Sequence, residues 1–196
     1  PADAQNRSDS NLTFKRIQTL VRAKYSDARE AIAYFNKDKA APSYLIDLGL
    51  GICYSRINKV SDAAAAFDSA LRAAPQDSIV WRESGTFHFN KGRQDLASEY
   101  LNKAVRMNPQ DYEASFYYAR VLLEDGDTRS AFEQFQNVLR YLPESYETHY
   151  YYGRALLSSG ETFKGNLHLA YSGLYQNARR KTENFMEKAK AKIASP

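Results

Sequence analysis

Apolar residues along the chain recur at helical spacing, in stretches broken by short polar segments. Leu50, Gly51 and Tyr54 share one stripe, and Ala63, Phe67 and Ala70 share another at i, i+4, i+7. Read this way, residues 43–56/61–73, 77–90/93–107, 111–124/127–141 and 144–158/161–175 are four pairs of helices. Upstream, Asn11–Lys24 and Ser26–Lys37 read as a further pair, with Leu12, Ile17, Leu20 and Val21 on one face and Ala31, Ile32 and Phe35 on the other helix. Residues 1–10 are polar and are expected to be flexible. Ala178–Ile193 is rich in Lys and Arg, with a narrow stripe of Phe185, Met186, Ala189 and Ile193. It reads as a separate terminal helix that covers the last pair.

The helical stripes repeat with a period of 34 residues. Pro75, Pro109 and Pro143 are spaced by that period. So are Gly51, Gly85, Ala119 and Gly153; Ala63, Ala97, Ala131 and Gly165; and Phe67, Leu101, Phe135 and Leu169. Small residues at fixed points allow two antiparallel helices to approach closely, and the bulky register fills the space between neighbours. A turn register runs Asn58, Gly92, Gly126, Gly160, residue types that tolerate a left-handed helix end. The prolines end the second helices, and Asp77, Asp111 and Ser145, two residues later, are placed to cap the next ones.

This period and residue pattern resemble the tetratricopeptide repeat (TPR) family from about Tyr44 to Asn177, with Trp81 four residues before Gly85 as the family often has it. The resemblance implies an all-α fold: a right-handed α-α superhelix, or TPR solenoid, of about four to five helix pairs plus a C-terminal capping helix. The organisation it implies is a flexible N-terminus (1–10), a degenerate N-terminal pair (11–42), four repeats over 43–177 (44–77, 78–111, 112–145 and 146–177) and a cap (178–196). No linker-like stretch divides the chain. Three positions depart from the family pattern: Asp47 replaces a large residue, His88 stands where Tyr is usual, and Asn177 replaces the fourth proline.

Composition narrows the chemistry. In 196 residues, 27 basic and 23 acidic side chains leave a net charge of +4, too little for a nucleic-acid binder. One cysteine, Cys53, excludes an internal disulfide and a multi-thiolate zinc site, and its place beside Ile52 on an apolar helix suits a buried, inert thiol. No run of about 20 apolar residues could span a bilayer. The chain starts Pro1-Ala2-Asp3, the look of a mature or cut end. His88, His149 and His168 show no metal-ligand spacing and read as packing residues. No phosphate-cradling glycine loop and no acid–base pair stands out. The expectation is therefore a chain with no catalytic residues, no metal and no cofactor.

In TPR proteins the first helix of each pair lines an inner groove. The resemblance carries that role to Leu45, Leu48, Ile52, Ser55 and Arg56; to Ile79, Arg82, Thr86, Phe89 and Asn90; to Glu113, Phe116, Arg120, Leu123 and Glu124; and to Glu147, Tyr150, Arg154, Leu157 and Ser158. Of these, Arg82, Phe89, Phe116, Arg120, Tyr150 and Arg154 are the candidate partner-binding residues, since Arg and aromatic side chains concentrate binding energy. The competing reading makes the aromatics interhelix packing and the arginines a solvated face. The Lys/Asn carboxylate clamp of chaperone-binding TPR domains is not reproduced.

The expected function is a protein-interaction scaffold that takes a partner protein or peptide along the groove. Self-association through an uncapped end or an aromatic edge is a further reading. The C-terminal stretch, with His168-Leu169-Ala170-Tyr171 and one more helix, is also similar to the TPR half of periplasmic zinc metalloproteases of the β-barrel assembly-enhancing type. That resemblance implies an upstream catalytic domain, a periplasmic setting and a role in outer-membrane protein assembly. Without it a cytoplasmic setting is the default.

Overall fold

The computed structural model describes residues 43–193, together with Ala33. The expected pair at residues 11–42 and the N-terminal ten residues lie outside the described residues. Those described form eight α-helices and no strand: α1 (Ser43–Arg56), α2 (Val60–Ala73), α3 (Ser78–Asn90), α4 (Gln94–Met107), α5 (Tyr112–Glu124), α6 (Thr128–Tyr141), α7 (Tyr146–Ser158) and α8 (Thr162–Ile193). The fold is all-α, as the periodicity requires.

The chain divides into two compact units, Pro1–Pro109 and Gln110–Pro196. The break falls between two repeats, where neither composition nor loop length marks a boundary. In the first unit, α1 pairs with α2, α3 pairs with α4, and α3 also packs on both α1 and α2. Its core joins Leu45, Leu48, Cys53, Ala63, Phe67, Ala70, Val80 and Phe87. The second unit repeats the plan: α5 pairs with α6, α7 with α8, and α7 packs on α5 and α6. Its core holds Ala119, Leu122, Ala131, Phe135, Tyr152 and Leu156.

The small-residue register occupies matching contacts. A β-carbon at Gly85 would lie 2.7 Å from the Leu101 side chain and 3.1 Å from its backbone nitrogen. One at Gly51 would meet the Phe67 ring at 2.9 Å, and one at Gly153 would meet the Gly165 carbonyl at 2.9 Å. Ala119 and Phe135 are the corresponding pair, both fully buried. The hairpin turns follow their register too: Asn58, Gly92, Gly126 and Gly160 all have positive φ, between 58° and 86°. Asp77, Asp111 and Ser145 accept hydrogen bonds from the amides of Ile79, Ala114 and Thr148 and so cap α3, α5 and α7. The off-pattern Asp47 has a local reason: its carboxylate accepts a 2.7 Å hydrogen bond from Ser69 across the α1–α2 hairpin.

The C-terminal helices differ from expectation. The helices expected at 161–175 and 178–193 are one helix, α8, of 32 residues. In the other repeats a proline stops the second helix at Pro75, Pro109 and Pro143; here Asn177 keeps its amide hydrogen and the helix runs on.

Two outcomes follow from this packing. Gly85→Leu should destabilise the protein by about 1–3 kcal/mol or more, because the obstacle includes Leu101 backbone. Chemical denaturation would read this as a lowered midpoint. Cys53 is fully buried and burial pushes its thiol up to about 11, against the opposing charge of Arg56. A thiol reagent at pH 8 should therefore label Cys53 only on unfolding, and rapid labelling of the native protein would contradict its burial.

Candidate partner-binding face on α5 and α7

Four of the six candidate residues come together in the second unit. Phe116 and Arg120 lie one turn apart on α5, and Tyr150 and Arg154 lie one turn apart on α7. Tyr151 joins them from α7. The Arg120 guanidinium sits over the Tyr151 ring at 4.4 Å and lies 5.7 and 5.9 Å from the rings of Phe116 and Tyr117. Phe116 meets Tyr151 edge-on at 5.8 Å, and Tyr151 meets Tyr150 edge-on at 5.2 Å. Arg154 stands 5.8 Å from the Tyr150 ring. The result is a continuous aromatic surface with two guanidinium groups laid on it. Each cation–π contact is worth about 0.5–1 kcal/mol where exposed, and the stacking holds the planar forks in place.

Exposure grades along this face. Tyr150 and Arg154 are exposed, while Phe116, Arg120 and Tyr151 are half-buried. Glu113 and Glu147 stand seven residues before Arg120 and Arg154, which is two helical turns, or about 10 Å. One end of the face is therefore acidic and the other cationic.

The two candidates in the first unit are placed otherwise. Arg82 is buried and donates to the Glu83 carboxylate at 2.8 Å, and Phe89 is buried as well. Their register points to a groove, but in this unit both side chains are spent on packing. The tyrosine clusters 117–118 and 150–152 span successive helix faces, so the sequence expects the tyrosines other than Tyr118 and Tyr152 to reach the groove. The cross-helix geometry brings the rings of Tyr117 and Tyr151 to Arg120.

The histidines are more organised than their sequence spacing suggests. His149 of α7 and His168 of α8 approach through their Nδ1 atoms at 2.6 Å, with the rings stacked at 4.8 Å. His149 Nε2 lies 2.9 Å from the Pro143 carbonyl, an acceptor only, so Nε2 carries a hydrogen. With Nε2 as the donor, His149 Nδ1 accepts from His168 Nδ1–H in the neutral tautomers. Tyr171 lies against His149 at 4.3 Å and Tyr152 against His168 at 4.8 Å. This is the hairpin contact made 68 residues earlier by Trp81, Tyr100 and Lys103: Trp81 donates to the Pro75 carbonyl at 2.8 Å, meets Tyr100 edge-on at 5.1 Å and carries Lys103 on its face at 3.7 Å. Its counterpart in the intervening repeat is the Asn137–Ser115 hydrogen bond. The histidine pair is thus one version of a repeated clasp between helices. Among the described residues no three His, Cys, Asp or Glu groups gather as a metal site. His88 is buried between Phe87 and Tyr100.

Comparison with known proteins agrees with this geometry. Helix hairpins locked by small residues at a 34-residue period define a helical-repeat protein. The tetratricopeptide repeat model matches residues 20–78 and 48–112, and that of the anaphase-promoting complex, cyclosome, subunit 3 matches 90–169. The chain belongs to the tetratricopeptide repeat family. Solved structures share the fold. MamA of AMB-1 superposes with a TM-score of 0.69 at 20% identity over 82% of this chain and 96% of its own. MamA from Desulfovibrio magneticus RS-1 gives 0.69 at 17% identity over 86% and 95%. YrrB, described as a TPR protein with an unusual peptide-binding site, gives 0.65 at 24% identity over 82% and 83%. A stretch of 65 residues is 29% identical to protein arginine N-methyltransferase 9 of Homo sapiens and Mus musculus; it is 33% of this chain and only 8% of those proteins.

The clasp carries a pH dependence. Burial, then the neighbouring His149, hold His168 below its ordinary value of 6.5. Burial, then Arg93, do the same for His88, with Asp68 opposing. A depressed folded-state value means that the unfolded chain binds protons first, so stability present above pH 6.5 is lost as the pH falls. The thermal midpoint should drop between pH 7.5 and pH 5. His168→Tyr, which installs the residue found at Tyr100, should reduce that drop.

Proposed function

We propose that this chain is a protein-interaction scaffold that holds an extended peptide segment of a partner against the α5–α7 face. The observation that carries the reading is the pair of arginines set on the linked rings of Phe116, Tyr117, Tyr150 and Tyr151. Rigid aromatic rings offer contact area at low entropic cost, and a stacked guanidinium is oriented to take a carboxylate with two hydrogen bonds. The separation of about 10 Å between the arginine and glutamate levels equals about three residues of extended chain. The favoured ligand therefore carries an acidic side chain or a C-terminal carboxylate, with a basic residue about three positions away. Similarity in fold to YrrB, a TPR protein with a peptide-binding site, supports this class of partner. The same face would serve as the contact surface if this chain is the TPR part of a periplasmic metalloprotease.

A random peptide library selected on the purified protein tests the proposal. Enrichment of an acidic residue paired with a basic one is expected. Arg120→Ala with Arg154→Ala should weaken the selected peptide roughly tenfold or more, with helical content unchanged. Selection without charge preference, or full binding by the double variant, would sink the reading.

A further inference from the structure

The outward face of the last helix breaks a rule kept by every other second helix. Four registers of the repeat form that face: Ser61, Asp95 and Arg129; Ala65, Glu99 and Glu133; Asp68, Asn102 and Gln136; Arg72, Arg106 and Arg140. These positions are solvent-facing, all exposed but the half-buried Asn102, and all but Ala65 are polar or charged. In α8 the corresponding residues are Phe163, Leu167, Ala170 and Leu174. All four are exposed, Phe163 at 82%, Leu167 at 61% and Leu174 at 72%. Groups of large exposed apolar side chains mark an interaction surface, and here they replace charges that solubilise the same position elsewhere.

The helix does not end with this stripe. Eighteen residues are about five helical turns, so positions 181, 185, 188 and 192 share the angular positions of 163, 167, 170 and 174. The sequence has Lys, Phe, Lys and Lys at those register positions, and Glu183 and Glu187 stand at others. Residues 178–193 contain six basic and two acidic residues, a net of +4, which is the net charge of the whole chain. A continuous 32-residue helix thus carries an exposed apolar stripe on its first half and a strongly basic sequence on its second. Among the described residues no helix is long and apolar enough to cross a membrane.

We propose that α8 is a peripheral membrane-docking helix that lies along an anionic bilayer surface, with Phe163, Leu167 and Leu174 entering the headgroup layer and Lys181, Lys188 and Lys192 meeting lipid phosphates. Charge complementarity selects this occupant: apolar insertion and basic attraction act together at an anionic interface. The stripe is a single exposed ridge on the outside of a hairpin, which suits a flat, deformable surface.

Sedimentation with vesicles tests it. The full chain should co-sediment with vesicles of phosphatidylglycerol and phosphatidylcholine and about tenfold less with phosphatidylcholine alone. Phe163→Asp with Leu167→Glu installs residues already present at Asp95 and Glu99, so the helix should form, as circular dichroism would verify. That variant and the Lys181→Gln/Lys188→Gln/Lys192→Gln variant should each lose about tenfold in vesicle binding. No binding of the unaltered chain to anionic vesicles, or equal binding by either variant, overturns the proposal. So does a dimer in light scattering that Phe163→Asp/Leu167→Glu dissolves, which would give the stripe to a second copy.

Discussion

The close approach of two helices at a residue with little or no side chain is the contact on which each unit depends. At Gly85 the neighbouring helix is so near that a β-carbon would meet both the Leu101 side chain and its backbone. Gly51 and Gly153 hold the same place in their hairpins. Packing at this distance leaves no room for relaxation, so the small register is strict while the residues around it vary. Close packing also determines which side chains remain outside. Within a unit each helix buries one stripe against its hairpin partner, α3 and α7 bury a second against the preceding hairpin, and what is left over is the surface available for function.

That leftover surface differs between the units. In the first, Arg82 and Phe89 are drawn into packing, and the Arg82 charge rests on Glu83. In the second, Phe116, Arg120, Tyr150 and Arg154 share a face with Tyr117 and Tyr151. Equivalent positions in a repeat are equivalent in backbone, but exposure depends on the sizes of the neighbours. The His149–His168 clasp makes the same point: its positions match Trp81 and Tyr100, so the architecture of the contact is conserved along the chain while its chemistry changes from a neutral aromatic pair to one that responds to protons. Repeat proteins are built to permit this, since each hairpin answers mainly to its neighbours.

The sequence by itself determined the all-α class, the 34-residue hairpin, the turn residues with positive φ and the helix caps, because each rests on local geometry that a residue type either allows or forbids. It also held the cause of the long last helix, the missing proline at Asn177, though not as an obvious consequence. Only the tertiary structure decided that Arg82 and Phe89 are buried, that two histidines 19 residues apart share a hydrogen bond, and that Arg120 lies on three rings. Those outcomes depend on side chains from different helices meeting in space, and a linear pattern specifies the face of a helix without specifying what stands opposite it.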